Sequence, residues 1–136
     1  MEAVKLKYIP NLFAAISFLV IWLILSWLFM GRTIEFCKLT LITGYYPDFY
    51  FHVSNFVISY FIYAGIGYFW LMLGVNFKYI IALGIASVLA NLIYELWIPI
   101  LNTPDLIDAY FGLAGTFTAF VFLLLTFKFG LKPNTA

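Results

Sequence analysis

The sequence predicts an all-α, polytopic membrane protein with four transmembrane helices, and three observations carry that reading. Hydrophobic residues make up 65% of the 136-residue chain and charged residues only 10%. The mean hydropathy is +1.05. The apolar residues are also gathered into four long runs rather than spread evenly. A soluble domain carries about a quarter charged residues, so a chain this size in water cannot hide so much apolar surface. Lipid is therefore the solvent for most of it, and the bilayer is its first partner. The length accommodates one membrane domain, residues 1–136, and no more.

The four runs cover residues 9–30, 51–75, 79–101 and 106–129. Each approaches or exceeds the roughly 20 residues that cross a hydrocarbon core of about 30 Å. Helices follow, because a span in lipid must pair its backbone groups within itself. Barrel strands would alternate polar and apolar residues, and these runs do not. The first run follows Lys5 and Lys7, as a signal peptide would. It is longer than a signal core and ends at Gly31 and Arg32 instead of a small-residue cleavage site, so a retained anchor is expected.

The connections are short, with one exception. Asn76, Phe77 and Lys78 join the second and third runs as a tight hairpin. Asn102, Thr103 and Pro104 join the third and fourth, with Asp105 placed to cap the last helix. Pro99 is expected to distort the final turn of the third helix and free the carbonyl of Glu95. The exception is residues 31–50, where Arg32, Glu35, Lys38 and Asp48 mix with Leu39, Leu41, Tyr45 and Tyr46. That composition predicts an interfacial segment between helices one and two.

Four spans place both termini and the 76–78 turn on one side. That side holds Lys5, Lys7, Lys78, Lys128 and Lys132, against Arg32 and Lys38 on the other. The excess predicts a cell-membrane protein with both termini in the cytoplasm. Asp48, His52, Glu95, Asp105 and Asp108 then fall together at the outer end. Asp48 and His52 are four residues apart, and Asn55 and Ser59 continue their stripe. Asn91 and Glu95 repeat that spacing on the third helix. On the fourth, Gly112 and Gly115 follow Asp108 along one face, and small residues let helices approach closely. A carboxylate facing mid-bilayer lipid costs about 2.5–3.5 kcal/mol, so these stripes are expected to turn inward.

These residues resemble the VanZ-like family of small bacterial membrane proteins. Members open one helix with an acidic residue and a histidine, as "PDFYFHVSNF" does here with Asp48 and His52. They place a glutamate near the end of a later helix, then a short loop and an aspartate opening the last helix. Glu95, residues 102–104, Asp108 and Gly115 stand in those places, and the resemblance spans about residues 47–118. The chain departs from the pattern in three ways. It has Ile98 in place of a glutamine, no basic residue in the loop, and Gly112 in place of an asparagine. The resemblance implies a bacterial inner-membrane protein of the cell envelope with an outward-facing polar cleft.

The expected site comprises His52, Glu95 and Asp108 as acid–base groups, with Asp48, Asn55, Asn91 and Asp105 as ligand-binding neighbours. Glu95 and His52 would move protons while Asp108 orients. Such a cleft suits a lipid-linked or cell-envelope ligand. One histidine without a second at helical spacing gives no expectation of a metal, and no cofactor motif occurs. The bland alternative is that Glu95 merely pins helices together. A second functional class is a non-catalytic subunit or adaptor, in which Trp22, Trp27, Trp70 and Trp97 pack on another membrane protein. A small multidrug-type transporter would need an acid within the first span, which has none. A net charge of +1 provides no basic field for nucleic acid, and Cys37 has no second cysteine with which to pair.

Overall fold

The computed structural model describes residues 5–98 and 105–135. Its long elements are α1 (Leu12–Met30), α3 (Phe49–Leu73), α4 (Phe77–Trp97) and α5 (Leu106–Leu125). All four are long and apolar enough to cross a membrane, so the chain is a four-helix, multi-pass membrane protein. A short helix, α2 (Thr40–Tyr45), and a single 3₁₀ turn at Glu35–Cys37 lie between α1 and α3. Two three-residue strands, β1 (Tyr8–Pro10) and β2 (Leu131–Pro133), complete the described chain.

The helix α3 is central, and its buried face is lined by Tyr60, Tyr63, Ala64 and Leu71. Its principal neighbour is α5, which approaches closely because Gly115 has no side chain. A methyl group at Gly115 would collide with the backbone carbonyl of Phe56. Further along, Gly67 of α3 receives Leu123 of α5. The helix α4 docks through one buried polar contact, where the Tyr63 hydroxyl donates to the Ile80 carbonyl at 3.0 Å. Gly84 leaves room for that phenol. By contrast α1 buries only Ala14 and Leu25, and leaves Leu12, Phe13, Leu19 and Leu23 exposed. Its partly buried aromatic residues hold it: Trp22 stacks on Phe61 with centroids 4.1 Å apart, and Phe18 stacks on Tyr68 at 4.3 Å.

Helix ends fall where backbone chemistry stops them. The first helix begins at Leu12, three residues later than the sequence suggests, because Asn11 caps it by accepting from the Ala14 amide at 2.8 Å. Residues 8–10 pair instead with β2, in the register Tyr8 to Pro133, Ile9 to Lys132 and Pro10 to Leu131. The Asn11 side-chain amide donates to the Phe129 carbonyl, and that of Asn134 to the Leu6 carbonyl. The α-helical bonding of α5 ends at Leu125 and continues as a π turn over Thr126–Gly130, so the span runs from Leu106 to Gly130, within one residue of the expected limit at 129.

The α3–α4 hairpin turns on Gly74, whose left-handed φ of 77° closes α3 two residues before the expected limit at 75. Asn76 then caps α4, which starts at Phe77 and not 79. The expected end of the third helix at 101, the Pro99 distortion, and the loop at 102–104 lie outside the described residues.

These contacts bring both described termini and the 74–76 turn to one end of the bundle. The Lys7 amide donates to the Met72 carbonyl at 2.9 Å, and Gly74 lies against the Lys7 side chain. Lys7, Lys78, Lys128 and Lys132 therefore share that end. Residues 31–48 close the opposite end by folding over the start of α3. Gly31 seats the Tyr50 ring, and the Tyr50 hydroxyl accepts from the Leu39 amide at 3.0 Å.

The contact at Gly115 is the most demanding in the bundle. Gly115→Ala is expected to cost about 1–3 kcal/mol, because backbone cannot move aside as a flexible side chain can. Gly65→Ala meets only Trp22 at an ordinary 3.5 Å and should be close to neutral. Unfolding of both variants in detergent micelles checks this ordering.

Candidate functional site

At the end opposite Lys7, Lys78, Lys128 and Lys132, α3 and α4 line a cleft of about 700 Å³. Phe51, Asn55, Ile58 and Ser59 line it from α3, and Ser87, Asn91, Tyr94 and Glu95 from α4. Asp108 of α5 and Arg32, just beyond α1, complete the polar lining. Helical geometry explains the groupings. Residues 51, 55, 58 and 62 recur at three- and four-residue steps along one face of α3, as do 87, 91 and 94 along α4. Ser59 lies ten residues beyond Phe49, and Ser87 ten before Trp97, so each is about 15 Å along its helix from the mouth. The polar lining thus extends halfway into a hydrocarbon core of about 30 Å.

Asp108 reaches the cleft from the first turn of α5, where the helix dipole favours a carboxylate. Its Oδ1 lies 2.7 Å from Nδ1 of His52. With the carboxylate as acceptor, Nδ1 carries the proton and donates it. His52 is buried in a cluster with Tyr46 and Phe111, whose ring centroids lie 6.2 and 5.6 Å from its own. Asp105 Oδ2 is 3.7 Å from the same nitrogen, while its Oδ1 accepts from the Ile107 amide at 2.8 Å and caps α5. Asp105 thus has the capping role its sequence position suggests.

The other predicted residues divide plainly. Glu95 lines the cleft and is only 2% exposed. Asn55 and Asn91 line it as well, and the Asn91 amide donates to the Ala109 carbonyl at 3.0 Å, over the space left by Gly112. Asp48 is exposed at the start of α3 and lines neither the cleft nor the His52 pair. His52 does not line the cleft; it stands behind Asp108, which does. Asp108 therefore faces the cleft and His52 braces it from behind. Of the tryptophans, Trp22 packs within the chain, while Trp97 is largely exposed.

Sequence reasoning missed Arg32 as a site residue. It follows the first helix and reads as an ordinary interfacial charge, but its Nη1 donates to the Ser54 hydroxyl at 3.3 Å. The small residue before it was the available signal: Gly31 lets the chain turn tightly against Tyr50 and carries Arg32 over α3. For cations, the described residues offer His52, Asp105 and Asp108, with one ligand atom from each lying within 4.8 Å of the others. An ion there would have to displace the hydrogen bond between His52 and Asp108.

Comparison with protein-family models, curated proteins and solved structures finds no match to this chain.

The His52–Asp108 contact makes a definite energetic statement. Asp108→Asn and His52→Phe should each destabilise the protein, and the double variant should lose less than their sum, with a coupling of about 1 kcal/mol. A double-mutant cycle in detergent micelles measures it. Strict additivity would mean the two groups do not interact.

Proposed function

We propose that this chain is a VanZ-like protein of the bacterial cytoplasmic membrane that binds the polar head of a lipid-linked or other amphipathic envelope ligand in the α3–α4 cleft. The observation that carries the reading is the two-part character of that cleft. Arg32, Asn55, Asn91, Glu95 and Asp108 offer a head group hydrogen bonds and charges. Ile58 and Ile62 line the same space yet are 47% and 53% exposed, so they continue from the cleft onto the outer surface of the bundle. A purely aqueous ligand has no use for that apolar edge, and an acyl chain alone has no use for the polar lining. A few convergent polar groups in an otherwise apolar concavity are what ligand sites commonly present.

The lysines at the opposite end support cytoplasmic termini and an outward-facing mouth, because basic residues favour the cytoplasmic side. In this reading Asp108 contacts the head group, and His52 holds it in place from behind. Arg32 closes the mouth as an interfacial residue.

Ala90 lines the cleft without contacting the His52–Asp108 pair, so Ala90→Trp fills the space and leaves the pair intact. Protein released gently from its native membrane should carry an amphiphile adduct in native mass spectra, and A90W should lose it. An identical adduct pattern in both would remove the cleft from the account. Sidedness is checked by impermeant thiol labelling of Cys-free protein: a cysteine at Glu35 should label from outside, and one at Lys132 should not.

A further inference from the structure

We propose that the head group this cleft takes is an uncharged polyhydroxyl ring, that is, a sugar, and not a phosphate or an amine. The inference rests on the amphiphile-binding reading above and adds the class of head. Its first support is hydrogen-bonding capacity left open inside a membrane span. Asn55 and Ser59 are half-buried, line the cleft, and make no hydrogen bond among the described residues. Three other hydroxyls of α4 and α5 are satisfied by carbonyls four residues back: Ser87 bonds Leu83, Thr116 bonds Gly112 and Thr118 bonds Ala114. Ser59 makes no such bond and faces the cleft beside Asn55. The phenols of Tyr60 and Tyr68 and the indole nitrogen of Trp22 also lack partners, but they are buried away from the cleft. An unpaired amide in lipid is costly, so whatever fills the cleft must both donate and accept.

The second support is charge. Arg32 is the one cation lining the cleft among the described residues, and it is turned to Ser54. It shares the lining with two carboxylic acids, Glu95 and Asp108, and Asp108 is already held by His52. A phosphate would meet two acids and a single guanidinium. An amine would meet that guanidinium and two acids that are both engaged already, Asp108 by His52 and Glu95 as a buried side chain with a partner of its own. Neither sign has a matched field. A hydroxyl is donor and acceptor together, and so fits Asn and Ser side chains without any net charge. Third, Phe51 and Tyr94 place aromatic rings at the mouth, surfaces on which the flat apolar face of a sugar ring can rest.

The test uses the full chain in phosphatidylcholine nanodiscs. The probes are glucosyl diacylglycerol, unglycosylated diacylglycerol and phosphatidic acid, all with the same acyl chains. Binding is read by native mass spectrometry. Glucosyl diacylglycerol should bind about tenfold tighter than either comparison lipid, and Asn55→Leu or Ser59→Ala should each remove most of that preference. Ser59→Thr keeps a hydroxyl and should retain it, which separates lost hydrogen bonding from lost folding. Equal binding of the glycosylated and plain lipids, or a preference for phosphatidic acid, overturns the sugar assignment. If A90W still blocks the preferred lipid in those cases, the cleft remains a lipid site with a different head group. If A90W blocks none of the three, the cleft reading falls and the sugar assignment falls with it.

Discussion

The close passage of α5 across α3, with Gly115 against the Phe56 carbonyl, is the constraint on which the remaining geometry depends. In lipid there is no hydrophobic force to push helices together, so association relies on packing and on a few interhelical hydrogen bonds. A glycine at the crossing permits backbone contact, and the benefit spreads along both helices. One turn away, Gly112 admits Asn91 of α4, which bonds the α5 backbone at Ala109. Two turns away, Asp108 arrives beside His52. Toward the other end, Leu123 fills the space at Gly67. The site is thus a consequence of how near two backbones can come, and any shift at Gly115 would be transmitted to Asp108.

The cleft follows from the same arrangement. The hairpin at Gly74 and the Tyr63–Ile80 bond hold α3 and α4 together at the lysine end. Toward the other end both helices turn to α5 instead of each other, α3 through Phe56 and His52, and α4 through Asn91. The result is a wedge that opens toward the acidic end, with α5 as its floor. Arg32 lies at that opening. The bundle is closed at the end that holds Lys7, Lys78, Lys128 and Lys132 and open at the end that holds Asp105, Asp108 and Glu95.

The four spans were legible because lipid imposes length and composition so strongly that runs of apolar residues can mean little else. The inward stripes were legible too: Asn91, Glu95, Asp108, Gly112 and Gly115 all bear on the cleft or the α5 crossing. What was not legible has local physical causes. The first helix starts at Leu12 because Asn11 competes for the backbone, and residues 8–10 read as apolar helix although they form a strand whose partner lies more than 120 residues away. Hydropathy is blind to such a pairing. The order of His52 and Asp108 depends on which side chain lies nearer the cleft, and helical spacing within one segment cannot rank residues on two helices. Arg32 was hidden for a related reason, since its reach to Ser54 depends on the path of residues 31–48, which follows no period.

The two ends of the bundle handle polar groups by opposite means, and the contrast bears on function. At the lysine end Asn11 and Asn134 spend their amides on backbone carbonyls at Phe129 and Leu6. Those bonds tie strands and helix ends together, and they satisfy groups that would otherwise be stranded near lipid. At the other end Asn91 and His52 are likewise engaged, but they hold up a wall whose inner surface still presents Asn55 and Ser59. Apolar residues at those two positions would satisfy the bilayer at no hydrogen-bonding cost. Their depth, about 15 Å along α3 for Ser59, makes an incidental surface polarity a poor account. Ser87, Thr116 and Thr118 close their hydroxyls onto their own helices, whereas Asn55 and Ser59 leave a polar surface open within one concavity, and such a surface halfway into a membrane calls for something that enters to complete it.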